Sequence, residues 1–139
     1  MKSYAIASVI TSVFLLAGCG VGKPFVQPGI NTNDSAHVVT DSDHSSQVAG
    51  WDQRIYIWAI DGKDTHAGVG LRPEEAYLSE GPHKLEIIYM FMGASAKGRL
   101  TLVAQRGHDY VIHRQQDNGR MRFWITDGWS GPVVGGIAD

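Results

Sequence analysis

The chain has 139 residues, 12 basic and 14 acidic side chains, and a formal charge of −2 at neutral pH. That balance, without a run of Lys or Arg, speaks against nucleic acid as a partner and against electrostatic adhesion to anionic lipid headgroups. Cys19 is the single cysteine, so no disulfide forms within the chain and the fold is held by packing alone.

Lys2 supplies one positive charge, and Tyr4 to Gly18 then runs without a charged residue. The run is short for a bilayer span and closes on small residues, as a cleavable export signal does. Its last four residues, Leu16-Ala17-Gly18-Cys19, resemble the lipobox of bacterial lipoproteins. The resemblance implies that residues 1–18 are removed as a signal peptide and that Cys19 becomes the first residue and carries three acyl chains. Two or more chains give stable membrane anchoring. Gly20 follows where an Asp would imply retention at the inner membrane, so the resemblance points to the periplasmic face of the outer membrane. The alternative is an ordinary secreted protein with an incidental thiol. With Lys2 gone, 11 basic side chains remain against 14 acidic ones, a formal −3.

Residues 19–50 are rich in Gly, Ser, Asn, Asp and Pro and read as a flexible tether, with Ala36–Thr40 as one possible edge strand. A β-sandwich domain is expected over residues 51–139. Arg54–Ile60 is β-branched and aromatic and stops at the turn signal Asp61-Gly62. Gly68 to Pro73 reads as a loop, and Glu74–Leu78 as a helical turn or a short strand. His83–Met92 is the clearest strand, with Leu85, Ile87, Tyr89 and Phe91 on one face. Gly93–Gly98 is expected to break it before Arg99–Gln105 alternates again. Asp109–Arg114 and Met121–Thr126 follow, joined through Asp117-Asn118-Gly119, and Pro132–Val134 adds a last short strand. Five or six strands with Gly-containing turns and no amphipathic helix define an all-β chain, expected as a small antiparallel sandwich.

Ile57-x-x-Ile60-Asp61-Gly62, Leu78-x-x-Gly81-Pro82-His83-x-Leu85 and Leu100-x-Leu102-x-Ala104-x-x-Gly107-His108-x-Tyr110 resemble, in that order, a group of small bacterial lipoproteins with a transthyretin-like or PEGA-like sandwich. The likeness covers residues 51–130. It implies a fold and an address and carries over no catalytic residue. Where the group has Pro-Gly before the histidine, this chain has Gly81-Pro82.

No catalytic, metal or cofactor constellation stands out. His108 and His113 are five apart on one expected strand and so face opposite ways, while His37, His44 and His66 lack a Cys or carboxylate at ligand spacing. Capping a turn or bonding a carbonyl is the expected task of His83 and His108. Asp61, Asp64 and His66 lie close, but a turn explains them; Glu74-Glu75 reads as a solvated turn rather than a glycosidase pair. Gly135-Gly136 reads as hairpin glycines, without the context of a phosphate loop.

The most informative positions are aromatic and basic. If Ile55, Ile57 and Ala59 point inward, Tyr56 and Trp58 point outward. If Met121, Phe123 and Ile125 point inward, Arg120, Arg122 and Trp124 point outward, with Trp129 in the next turn. These residue types anchor protein interfaces and stack on sugars. The other reading is that both faces are covered, one by the opposing sheet and one by the tether or C-terminal tail. The leading expectation is a non-enzymatic, lipid-anchored protein that docks on another envelope protein. A glycan-binding module on the same aromatic residues is the alternative, and a periplasmic hydrolase inhibitor a weaker one.

Overall fold

Three two-residue turns shape the chain. Asp61-Gly62, Met92-Gly93 and Asn118-Gly119 have φ of 51°, 48° and 47° at the first residue and 77° at each glycine. Positive φ at both positions is the type I′ geometry, whose twist matches the strands it joins. Two of these turns are written plainly as Asp-Gly and Asn-Gly. The third uses Met92, so the break expected over Gly93–Gly98 shrinks to a tight turn and the next strand begins at Ala94.

A computed structural model describes residues 22–46, 51–66 and 72–137. Residues 1–18, Cys19 and the Gly68 to Leu71 stretch lie outside the described residues. The strands are β1 (Phe25–Val26), β2 (Ala36–Thr40), β3 (Arg54–Ile60), β4 (Lys63–Asp64), β5 (Glu75–Leu78), β6 (Gly81–Phe91), β7 (Ala94–Ala104), β8 (Asp109–Asp117), β9 (Arg120–Asp127) and β10 (Val133–Ile137). All ten hydrogen-bond into one sheet in the order β1-β5-β2-β8-β9-β10-β7-β6-β3-β4. The chain is all-β as expected. The ladders form one continuous sheet, and it is mixed: β1 runs parallel to β5, and β2 parallel to β8.

The sheet begins well before Trp51. Residues 22–46, expected as tether, supply β1 and β2, and β2 lies between β5 and β8 rather than at an edge. Its alternation explains the placement, since Ala36, Val38 and Thr40 are buried while His37 and Val39 look outward.

The two ends of the sheet meet. Beyond β2, the Asp43 amide donates to the Gln53 carbonyl at 2.7 Å and the Gln53 amide returns the bond at 3.1 Å. Ser42 Oγ accepts from the Ile55 amide at 2.9 Å, and the Ile57 amide donates to the Pro73 carbonyl at 2.8 Å. These contacts satisfy main-chain groups of β3 that an open sheet would leave exposed. Inside the curl, Val38, Ile55, Ile57, Leu78, Leu85, Ile87, Leu100, Leu102, Ile112 and Ile125 are buried.

Packing at the β7–β9 crossing depends on Gly98. A Cβ there would lie 2.7 Å from Phe123 Cδ2 and 3.0 Å from Ile87 Cγ1, so the glycine makes room for the Phe123 ring. Replacement of Gly98 by Ala is expected to cost about 1–3 kcal/mol through overpacking. Gly136→Ala, with open space at its Cβ position, should change stability by no more than about 0.5 kcal/mol. Thermal unfolding of the two variants decides the point, and equal midpoints would remove this account of the core.

Candidate functional site

Outer-face side chains take their direction from strand alternation. On β3, Ile55 and Ile57 are fully buried, whereas Tyr56 and Trp58 point away from the core. On β9, Phe123 and Ile125 are buried and Met121 packs partly against the core, leaving Arg120, Arg122 and Trp124 outward. These residues do not form one patch. Strands β6, β7 and β10 lie between β3 and β9, about 19 Å of sheet at the usual strand spacing.

Trp58 sits on a β-bulge. Ile57 pairs with Ile87 and Ala59 with Glu86, so Trp58 is the extra residue. The Arg72 guanidinium lies 3.2 Å above its ring centroid and donates to the Asp64 carboxylate at 2.8 and 3.1 Å. Those Arg72 bonds, with the His66 amide, hold the Asp64 carboxyl below the usual carboxylate range. One face of the indole is therefore taken. The rest of Trp58, 38% exposed, borders a depression shared with Glu86, Lys97 and Arg99.

Trp124 is covered on its β8 side by His113, stacked at 5.4 Å and 20° between planes. Trp129 meets the same imidazole edge-on at 6.1 Å. Thr126 Oγ1 donates to the Gly128 carbonyl at 2.6 Å, so it accepts from His113 Nε2 at 2.7 Å. On its β10 side Trp124 opens on a different surface, a shallow depression of about 400 Å³ shared with Arg122, Val133, Gly135 and Gly136. Across β10 a second depression of about 450 Å³ is lined by Lys84, Thr101, Val103 and Val134.

Gly135 and Gly136 line the first of these hollows. They are interior residues of β10, not the loop glycines expected from the sequence. A Cβ on Gly135 would fall 2.4 Å from the Thr101 carbonyl oxygen and 3.0 Å from Ile125, so only glycine lets β10 fit between β7 and β9. Gly136 faces open space on the outer side.

The histidines are organised by carboxylates from distant strands. His37 Nδ1 lies 2.8 Å from Asp109 and its Nε2 2.6 Å from Glu75. Tyr77 stacks on His37 at 4.6 Å and donates to Glu75 at 3.2 Å. Burial, then the Glu75 charge, pushes the Tyr77 phenol up, which keeps it a donor. His44 is 2.7 Å from Glu74, His108 2.9 Å from Asp127 and His113 3.5 Å from Asp41. Glu74 is buried beside Arg54 rather than solvated as expected. His83 matches its expected part: Nε2 donates to the Ser79 carbonyl at 2.8 Å, and Nδ1 lies 2.7 Å from Asp61. Among the described residues, no group of three or more His, Cys, Asp or Glu side chains is arranged to hold a metal ion.

Comparison with protein-family models, curated proteins and solved structures gives no match. The site therefore stands on its own geometry. Arg122, Trp124 and Trp129 were legible as outward residues, and Trp124 and Arg122 line the groove. Lys84, Thr101, Val103 and Val134 were not singled out. The signal for Lys84, Thr101 and Val103 was the alternation of β6 and β7, which shows direction but not which strands become neighbours.

Asp61 supplies a test of the turn that borders the second hollow. Burial alone would raise its pKa, but the Lys84 amide at 2.8 Å and the His83 ring outweigh that and hold the carboxyl below its ordinary value. A lowered folded pKa contributes stability above the unfolded value and loses it as pH falls through the folded one. Asp61→Asn should cost about 1 kcal/mol near neutrality, a charge-assisted bond discounted for partial exposure. The deficit should shrink in unfolding curves taken below the usual carboxylate range. A deficit that stays constant into strong acid would contradict the assignment.

Proposed function

We propose that this chain is a non-enzymatic lipoprotein of the bacterial cell envelope that serves as a docking module for another envelope protein. The anchor is the acylated Cys19 on the periplasmic side of the outer membrane, and the curled sheet is a distant variant of the transthyretin-like sandwich. One observation carries the docking reading. Val103, Val133 and Val134 are exposed together across β7 and β10, with Val103 at 67% and Val133 at 66%. Contiguous apolar surface of this kind marks an interaction site when polar residues rim it. Here Asp61, Lys84, Thr101 and Arg122 form the rim.

The folded domain starts close to the proposed anchor. Gly22 is already buried, three residues after Cys19, so the lipid would hold the domain within about 11 Å of its attachment point. A protein held so close samples only partners at the membrane surface. The capping of Trp58 by Arg72 and of Trp124 by His113 favours the protein reading over sugar stacking, which needs open aromatic faces.

Replacing Cys19 by Ser should move the protein from the membrane to the soluble fraction and leave its N-terminus without acyl mass. A photo-crosslinking residue at position 103 should capture one envelope protein from intact cells, and one at position 77 should not. Full membrane retention of the serine variant would end the anchor reading, and equal background capture from both positions would end the docking reading.

A further inference from the structure

Charge is distributed unevenly around the sheet. Lys84, Lys97, Arg99, Arg120 and Arg122 are all exposed on the outer faces of β6, β7 and β9. Among the described residues none of them makes an ion pair, whereas Arg54, Arg72 and Arg106 each do. Register puts them together: Lys84 is opposite Thr101, Arg99 opposite Glu86, and Thr101 opposite Gly136. Two acids share that surface: Glu86 stands opposite Arg99, and Asp61 lines the hollow beside Lys84. Glu75, Asp109, Asp127 and Asp41 lie around β5, β2 and β8, each next to a histidine. A protein of net negative charge thus presents one face on which cations outnumber acids, and the exposed valines adjoin it at its Lys84 end.

That face carries a track. Gly136 leaves its floor bare, Trp124 and Arg122 stand on one side, and Val103 and Lys84 on the other. We infer that this track along β10 receives an extended acidic segment of a protein partner, with apolar side chains between its carboxylates. The apolar side chains rest on Val103, Val133 and Val134, and the carboxylates reach Lys84 and Arg122. The inference rests on the docking reading above and names the chemistry of the partner.

Two other occupants fit less well. A bilayer would have to reach β10, but β10 stands five places from β1 in the sheet. The curl therefore turns it away from Gly22, the first described residue after the proposed anchor. An acidic glycan would want open aromatic planes and many hydroxyl-bonding groups. The track offers one indole already stacked on its far side, with valines where polar groups would be needed.

The test uses the mature chain with Cys19→Ser and an acetylated decapeptide of alternating glutamate and valine. Amide and indole NMR shifts should map to Thr101, Gly136 and Trp124, and affinity should fall with added salt. Joint reversal by Lys84→Glu and Arg122→Glu should weaken binding about tenfold or more. Gly136→Val, which fills the track at a position with open space, should do the same without lowering the unfolding midpoint. The matching lysine–valine peptide should not bind. Equal binding of that peptide, or unchanged affinity in the Gly136→Val protein, overturns the inference. So does perturbation of the same amides by polygalacturonate or by phosphatidylglycerol vesicles when the glutamate–valine peptide causes none. A partner captured through position 103 whose yield is indifferent to both charge reversals would leave the docking function standing and remove the acidic segment alone. Peptide binding with no partner captured in cells would do the opposite.

Discussion

The main-chain bonds between Asp43 and Gln53 and between Ile57 and Pro73 join residues from opposite ends of the hydrogen-bonded order. They turn a long ribbon into a curl with an inside. An open ten-stranded sheet would expose one apolar face to water and leave two reactive edges. Closure buries that face, and the strands left at the two edges, β1 and β4, are only two residues long. Side chains reinforce the seam, with Ser42 on Ile55 and Glu74 held between His44 and Arg54. Because Glu74 is buried, loss of Arg54 would leave its side chain in a site that water cannot easily reach, with His44 as its remaining partner. Correct closure and a paired Glu74 therefore depend on each other.

Closure also decides what the outside looks like. Once the inward positions are committed to the core, every alternate residue faces solvent, and the strand order determines its neighbours. On β5, β2 and β8 this brings histidine rings against carboxylates and leaves a surface whose polar groups face one another. On β6, β7, β10 and β9 it gathers more cations than acids beside exposed valines. The asymmetry arises from neighbour relations in the sheet. It is invisible in the net charge.

Local irregularities finish the surface. The bulge at Trp58 brings an indole under Arg72, and the glycine pair in β10 removes side chains where β7 and β9 come closest. In both places the backbone departs from a regular ladder, and in both the departure shapes a hollow. Glycine within a strand weakens it unless another group uses the space. Here Ile125 and the Thr101 carbonyl use the inner side of Gly135, and the outer side of Gly136 is left open.

Period-two alternation and Asp-Gly and Asn-Gly turns made β3, β6, β8 and β9 readable from residues alone, because those signals are local. Ile55, Ile57, Phe123 and Ile125 were identified as inward, and Tyr56, Trp58, Arg122 and Trp124 as outward, on the same ground. The resemblance of Leu-Ala-Gly-Cys to a lipobox is equally local. In residues 22–46 the alternation of Ala36–Thr40 marks a strand amid polar loops, but its interior place depends on pairing with β8, some seventy residues on. Gly135-Gly136 looked like loop glycines for the same reason: nothing nearby in the chain reports that β7 and β9 will press on them. The His37–Glu75–Asp109 cluster and the cationic track join residues from three or more strands. Side-chain direction is a property of each strand, whereas who stands beside whom is settled by hydrogen-bonded order and by closure, which no short stretch of chain contains.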